Sequence, residues 1–361
     1  MPFQIVKPGT QFDFLGKWRI CVTISALLVL IGLLGIQVRG FRLGIDFAGG
    51  TEVQVRFLDA GGVHEGDIRE VVSGLGIPNA SVTRFGGADS QEFLIKFRGG
   101  RETEAVAEPD ASGDAAAEEV ETAGEAAEDR IFLLQETLEE TIGPLEVQRV
   151  EFVGPKVGAE LREDGVKAMA IACMLILIYI GFRFSLRFAP GAVIALIHDV
   201  TITSSVWILL GLEFDLRVLA ALLAIIGYSL NDTIIVYDRI RENMELRTKY
   251  DLKEVLNRSV NQTLSRTLLT SLTTLAAVLS LLVLGGAVIR PFALAMAIGI
   301  LVGTYSSIYI ASPSLLWLET RFGGGSDGPR AIAREAPKRE TPKRSTAKTA
   351  KAGSRRRRRP S

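Results

Sequence analysis

The sequence contains few of the residues that build disulfide frameworks or catalytic centres. It has two cysteines and two histidines among 361 residues. Cys21 and Cys173 fall in apolar runs, where a small thiol packs like other small apolar side chains, so no disulfide framework is implied. The absence of a Walker loop, a metal-spaced His and Cys cluster and a Gly-x-Ser-x-Gly elbow argues against an ATPase or a hydrolase. We predict no catalytic residue, no cofactor and no metal.

Acidic and basic residues are separated along the chain, although the formal net charge is zero. Residues 102–129 contain eleven acids and no bases. We predict a disordered or loosely helical insertion there, because the segment is too polar to bury a core. Residues 319–361 are rich in Lys, Arg, Pro, Ser and Ala, and for the same reason we predict a disordered tail.

Apolar residues make up 48% of the chain and are concentrated in blocks. Each block has roughly 17 to 25 residues, the length that a helix needs to cross about 30 Å of hydrocarbon. The six blocks are residues 20–38, 166–182, 192–212, 218–237, 268–288 and 292–318. The sequence therefore predicts a polytopic α-helical membrane protein, with transmembrane helix 1 at 20–38 and helices 2 to 6 within 165–318.

Basic residues indicate how these spans are oriented. They precede the first span and occur in the short loops after the second and fourth spans, as at Lys17, Arg183 and Arg239. The positive-inside bias then predicts that both termini, including residues 1–19, are cytoplasmic. No small-x-small cleavage site follows the first span, so we expect an uncleaved signal anchor.

Residues 39–164, between the first two spans, are numerous enough for one small domain on the outer side. Period-2 alternation predicts strands at 51–58, 81–85, 93–97 and 145–152, and helical patterns occupy 65–75 and 129–142. The resulting order, βαββαβ, predicts a ferredoxin-like α+β sandwich.

Asp232 is an ionisable residue inside the fourth apolar block. A carboxylate there costs several kcal/mol unless it is protonated, paired or beside water, so intramembrane acids usually mark an ion or proton path. Tyr228 and Asn231 place further polar groups near it, and Arg266 and Thr270 begin the fifth span at comparable depth. We therefore predict a buried Asp232 and Arg266 pair whose making or breaking changes the protonation of the carboxylate. The alternatives are a static ion pair that fixes helix register, or an Asp232 that reaches water from a helix end.

Two other spans carry distinctive residues. His198 and Asp199 lie about a third of the way into the third span, where they are open to two interpretations, a proton relay or a packing contact. Small residues recur every four positions in the sixth span and include Gly299 and Gly303, a pattern typical of close helix packing.

Four segments of the sequence carry a family resemblance. The first, residues 44–51 (GIDFAGGT), contains Asp46 and the paired Gly49 and Gly50, which alone would indicate an ordinary tight turn. The others are residues 153–161 (VGPKVGAEL), 197–200 (IHDV) and 227–232 (GYSLND), which continues to 238–243 (DRIREN). In this order, on a six-span plan with one outer domain, they resemble the SecF subunits of the SecD/SecF family of the bacterial Sec translocase from residue 41 to about residue 318.

The resemblance implies one half of an RND-type helix bundle in the bacterial inner membrane, with a periplasmic domain between helices 1 and 2. The implied partners are SecD, the SecYEG channel and preprotein substrate, with SecA in the same pathway and YajC as a candidate. The implied activity is membrane transport and not enzymatic catalysis. The proton-motive force would promote preprotein export, with Asp232 and Arg266 as the proton-coupling residues.

Other interpretations of the same features stay open. An RND-type exporter of small molecules or lipids would need a substrate cleft in the outer domain, which has only about 95 ordered residues. A purely structural assembly factor would not depend on Asp232. One carboxylate beside Asn and Thr oxygens serves a proton or a sodium ion equally well. The basic tail gains about 1 kcal/mol per basic residue at an anionic lipid surface, although membrane topology and solubility explain it more simply.

Overall fold

The computed structural model describes residues 11–58, 62–77, 80–85, 91–97, 113–184, 188–246 and 251–322. The chain divides into two units, Met1–Gly325 and Ser326–Ser361, and all described residues belong to the first. The predicted basic tail from residue 323 onward, the first part of the acidic insertion and the turn at residues 86–90 lie outside the described residues.

The described elements alternate between long helices and one small sheet. In chain order they are α1 (Trp18–Arg39), α2 (Ile45–Ala48), β1 (Gly50–Phe57), α3 (Glu65–Gly74), β2 (Ser81–Phe85), β3 (Glu92–Phe97), α4 (Gly113–Thr141), β4 (Leu145–Val153), α5 (Pro155–Arg183), α6 (Ala189–Leu209), α7 (Leu216–Glu245), α8 (Leu252–Leu284), α9 (Gly286–Ser306), a π-helical turn (Ser307–Ala311) and α10 (Ser312–Phe322). Within the described part of the chain, six helices are long and apolar enough to cross a membrane: α1, α5, α6, α7, α8 and the continuous run from α9 to α10. The predicted polytopic helical fold is confirmed.

Three of these helices begin or end away from the limits of their apolar blocks. Helix α5 starts at Pro155, since proline at the first helical position loses no hydrogen bond. Helix α8 starts at Leu252, because the Asp251 side chain accepts a hydrogen bond from the Lys253 amide and caps it. Helix α9 starts at Gly286, whose φ of 74° breaks the helix before the predicted loop at residues 289–291. The apolar blocks mark the hydrocarbon-crossing portions, while capping residues determine the helix lengths.

The helices of the bundle differ in how deeply they are buried. About half of the apolar window of α6 and of α7 is buried, against about a tenth for α1 and α5. The outward faces of α1, α5 and α8 expose Leu and Ile side chains, as at Leu33, Leu175 and Leu272. Such faces suit contact with lipid. Helices α6 and α7 therefore form the centre of the bundle.

The small residues of α9 let it approach α7 closely. A Cβ atom added at Gly299 would lie 2.2 Å from Ile225 Cδ1, and one at Gly303 would lie 3.0 Å from Ser229 Cβ. Ile225 is fully buried, so it has little room to move aside. Both glycines thus stand at direct contacts between α9 and α7.

The domain between α1 and α5 is a four-stranded antiparallel sheet covered by two helices. The strand order is β2-β3-β1-β4, with antiparallel pairing throughout. Alternate residues of β1 and β3, such as Val53, Val55 and Phe93, pack with Ile68 of α3 and Leu138 of α4. The predicted βαββαβ order and ferredoxin-like arrangement are confirmed.

Helix α4 differs from its prediction in length. It begins at Gly113, well before the predicted start at residue 129, so the second half of the acidic insertion is helical. Alanine and glutamate, which dominate this stretch, are strong helix formers.

The contact between α9 and α7 leads to a stability prediction. Gly299→Ala should lower the free energy of unfolding by about 1–3 kcal/mol, because the new methyl group overlaps Ile225. Gly227→Ala is the matched control: it is also helical, and a Cβ there meets no atom within 4 Å. That change should stabilise the helix by up to about 1 kcal/mol. Thermal unfolding of both variants in detergent measures the difference, and a Gly299→Ala protein as stable as Gly227→Ala would contradict the packing.

Candidate functional site

The carboxyl group of Asp232 lies buried where three helices meet. Asp232, on α7, is 1% exposed. From α8, Thr270 Oγ1 lies 3.5 Å from Oδ1 and Ser271 Oγ lies 3.3 Å from Oδ2, both placed to donate hydrogen bonds. From α9, Thr304 Oγ1 donates to Ser271 Oγ at 2.7 Å. Asp232 is therefore surrounded by hydroxyl groups, and both of its contacts are long.

The predicted ion pair between Asp232 and Arg266 is not formed in this conformation. Arg266 is exposed, and among the described residues no basic side chain lies within 4.0 Å of the Asp232 carboxylate. Sequence spacing placed both residues at similar depth, but Thr270 and not Arg266 is the residue of α8 that lies level with Asp232. Arg266 stands one helical turn before Thr270, which does face Asp232.

The remaining predicted polar residues of α7 point in different directions. Asn231 is exposed, on another side of the helix from Asp232. The Tyr228 hydroxyl is buried and has no hydrogen-bond partner in the described part of the chain, and its ring packs against the apolar cluster that contains Ile225. Of the residues expected beside Asp232, the structure brings only Thr270 within hydrogen-bond distance.

Two residues of the site were missed by sequence reasoning. Ser271 contacts Asp232 directly, and Thr304 contacts Ser271. The available signals were weak: Ser271 adjoins Thr270, and Thr304 adjoins Gly303 in the small-residue stripe. Because serine and threonine are common in membrane helices, where they bond to their own backbone, neither signal is specific.

A second buried carboxyl group contacts α7 one turn away. Asp199, on α6, is 0% exposed. His198 Nδ1 lies 2.9 Å from Asp199 Oδ1, and Ser229 Oγ donates to Asp199 Oδ2. Ser229 precedes Asp232 by three residues, so the two carboxyl groups contact neighbouring turns of the same helix.

The glycine turn after α1 joins the sheet domain to the bundle. Asp46 Oδ2 accepts a hydrogen bond of 2.9 Å from the amide of Leu216, the first residue of α7. Gly49 has a φ of 73°, and a Cβ atom on it would lie 2.9 Å from Pro155 Cα at the start of α5. Gly50, with a φ of 148°, begins β1. Only glycine fits this close approach with such backbone angles.

The loop before α7 is tied to the sheet domain at two further points. Phe214 donates and accepts backbone hydrogen bonds of 2.8 and 2.7 Å with Arg42 and Gly44. Lys96 of β3 places Nζ 2.8 Å from Glu213 and 3.1 Å from Glu52. Burial lowers the pKa of Lys96, but the hydrogen bond that Lys96 donates to Glu213 and the charges of both carboxylates outweigh it and raise that pKa overall.

Fold and site together define a multi-pass membrane protein with buried carboxyl groups and one domain between its first two spans. The family model described as protein export membrane protein SecD/SecF, C-terminal, matches residues 134–321, and the SecD/SecF GG motif matches residues 38–57. Protein translocase subunit SecF of Calditerrivibrio nitroreducens is 41% identical over 321 residues, covering 86% of this chain and 94% of the relative. The Pseudomonas aeruginosa subunit SecF is 38% identical over 319 residues, covering 87% and 93%. The chain belongs to the SecF family of protein translocase subunits, which have a transport role.

Solved structures agree with this assignment. The crystal structure of SecDF, a translocon-associated membrane protein from Thermus thermophilus, matches with a TM-score of 0.72 at 38% identity. The match covers 89% of this chain and 40% of that chain, so this chain spans about two fifths of SecDF. SecDF in its super-membrane-facing form matches with a TM-score of 0.61.

The Lys96 contacts lead to a prediction about the joint. Lys96→Gln should loosen the loop before α7, because Glu52 and Glu213 lose their shared cation and Glu52 stays buried without one. Faster hydrogen exchange at residues 211–215 measures this loosening. Because the pKa of Lys96 is raised on folding, the stabilisation is fully present below the ordinary lysine pKa of about 10.4 and is lost only as pH rises through the raised value.

Arg56→Gln is the matched control for Lys96→Gln. It breaks a contact with Glu92 inside the same domain, on an exposed surface away from the joint. Exchange at residues 211–215 should stay unchanged in that variant, and equal exchange in the two variants would show that Lys96 does not hold the joint.

Proposed function

We propose that this chain works with SecD as an ion-driven subunit of the bacterial preprotein translocase in the inner membrane. Both termini lie in the cytoplasm and the sheet domain lies in the periplasm in this proposal. The pairing with SecD is supported by the Thermus thermophilus relative named SecDF, of which this chain covers 39% at 40% identity. SecYEG, SecA, YajC and the preprotein are the further partners proposed for the same pathway.

The observation that carries the ion-driven part is the burial of Asp232 with no cation of the described residues within ion-pair distance, Arg266 lying one turn away along α8. An ionised carboxylate inside a membrane helix costs several kcal/mol, and two long hydroxyl contacts compensate only part of it. A protonated carboxyl group tolerates the same surroundings, because it is neutral and can both donate and accept hydrogen bonds. This arrangement supports a proton-loaded Asp232.

Loss of that proton supplies the step that changes the structure. The resulting charge needs a counter-ion, and Arg266 stands on the adjoining helix one turn from Thr270. A turn or shift of α8 that brings the guanidinium to Asp232 satisfies both groups. Thr304 is bonded to Ser271, so α9 follows α8. Protonation then reverses the sequence, and Asp232 and Arg266 act as the coupling pair.

Contacts described above connect this motion to the outer domain. Helix α7 carries Asp232 at its middle, and its first residue is bonded to Asp46 in the glycine turn. The loop before α7 is bonded through Glu213 to Lys96 of the sheet. The two solved forms of SecDF match this chain with different TM-scores, 0.72 and 0.61. This difference supports a change of shape in the matching part of that protein.

The available energy is adequate for such a cycle. One elementary charge that crosses 100 mV releases about 2.3 kcal/mol. That amount biases a two-state equilibrium by more than tenfold. The alternative of a small-molecule exporter has no comparable support, since the relatives are named protein translocase subunits.

Substitution of the buried acid tests the proposal. Asp232→Asn keeps the size and hydrogen-bonding capacity of the side chain but cannot ionise, so gradient-driven export should fall at least tenfold while insertion and SecD binding persist. The measurement is preprotein translocation into membrane vesicles, with proton and sodium gradients imposed separately to identify the coupling ion. Glu245→Gln, an exposed acid at the end of the same helix, is the control and should export normally.

The same experiment separates the proposal from a purely structural role. If Asp232→Asn exports at the wild-type rate under either gradient while removal of residues 50–153 abolishes export, the chain acts as an assembly factor. Loss of gradient-driven export in Asp232→Asn alone supports ion coupling.

A further inference from the structure

The imidazole of His198 is held in the bundle with one nitrogen unused. Its side chain is 9% exposed, and Nδ1 lies 2.9 Å from Asp199 Oδ1. Nε2 is buried and has no hydrogen-bond partner among the described residues. An unpartnered buried polar atom is costly, so its persistence points to a second state in which it has a partner.

The hydrogen bonds around Asp199 determine which nitrogen carries the proton. Ser229 donates to one oxygen of Asp199 and His198 Nδ1 contacts the other, so an ionised Asp199 requires the proton of the neutral ring to be on Nδ1. Nε2 then offers a free lone pair. In that state the pair carries one buried negative charge, and a proton on Nε2 converts it to a neutral imidazolium and carboxylate pair.

Among the described residues, no lysine or arginine forms an ion pair with Asp199, so His198 is its only counter-ion. Titratable groups near the pair include Tyr305 and Tyr309 within the last span and Cys21 on α1, and Asp232 lies on α7 one turn from Ser229. The Tyr305 ring lies 6.2 Å from the His198 ring, and its hydroxyl donates to the backbone oxygen of Cys21 at 2.8 Å. None of these groups supplies a positive charge to balance Asp199, so a proton on His198 must supply it.

We propose that His198 and Asp199 form a second proton-binding unit that alternates in charge with Asp232 during ion coupling. The inference rests on the proposed function. Ser229, which bonds to Asp199, and Asp232 lie one turn apart on α7, so the two carboxyl groups contact neighbouring turns of one helix in a medium of low dielectric, where like charges repel. Release of the proton from one site therefore favours its retention at the other. The proton enters and leaves at Nε2 and no covalent bond changes.

A spectroscopic experiment tests the unit without any export assay. The chain has two histidines, and His64 is exposed at the start of α3. In a His64→Asn background, nitrogen-15 labelled histidine therefore reports His198 alone, in the complex with SecD in lipid nanodiscs. Spectra recorded from about pH 5 to 8, the range in which histidine side chains generally change charge, should contain the protonated as well as the neutral ring.

Coupling to the other acid is measured by adding Asp232→Asn to that protein. Removal of the neighbouring negative charge should reduce the protonated fraction of His198 at a fixed pH. The proposal is overturned if the ring stays neutral across the whole range in the folded complex, or if Asp232→Asn leaves its titration unchanged.

An export experiment separates proton binding from hydrogen bonding. His198→Asn keeps a donor near the position of Nδ1 but has no Nε2 to protonate. Gradient-driven export into vesicles should fall at least tenfold and lose the pH dependence of the wild type, whereas His64→Asn should keep both. A wild-type pH profile in His198→Asn would show that only the hydrogen bond matters and would end the proposal.

Export by the Asp232→Asn variant, measured in parallel, distinguishes failure of the proposed function from failure of this inference. If it retains gradient-driven export, the proposed function fails and this inference fails with it. If it loses export while His198→Asn keeps the wild-type profile, only the second proton-binding unit is rejected.

Discussion

The energetic cost of a carboxyl group in a lipid-embedded helix governs the organisation of this protein. Asp232 is removed from solvent, and the groups that contact its carboxyl are hydroxyls, with no ion pair to it among the described residues. In such a setting the carboxyl group is neutral while it holds its proton, and it needs a counter-ion from the surrounding helices once the proton is lost. The response of α8 and α9 to the loss of this proton depends on the small residues of α9 and on the exposed Arg266.

The sheet domain and the bundle communicate through a short list of contacts near one point. Asp46 caps α7, Gly49 admits the start of α5, and Lys96 holds the loop that leads into α7. The first contact uses a free backbone amide at a helix start, the second is a close approach of backbone atoms and the third is an ion pair. A displacement of α7 is therefore felt by the domain directly, without an intervening flexible linker.

Sequence patterns predicted the fold well because they depend on local rules. Apolar blocks located six spans, and period-2 alternation located every strand of the sheet. The candidate site was predicted only in part. The acid in the fourth span could be found, since a charge among apolar residues is conspicuous, but the distance from Arg266 to it depends on how far α8 is shifted along α7. Ser271 and Thr304 were not predicted, because hydroxyl side chains are common in membrane helices.

The π-helical turn at Ser307–Ala311 has a geometric consequence for the last span. A stripe of residues at every fourth position drifts about 40° per repeat around an α-helix, because four residues exceed one turn of 3.6. A wider turn absorbs more residues and reverses part of this drift. Ser307 and Ala311 consequently remain buried, and the Ala311 carbonyl accepts a hydrogen bond from Tyr237 at 3.0 Å. The residue count of this span is thus fixed, since one insertion or deletion would rotate its far end out of the bundle and into lipid.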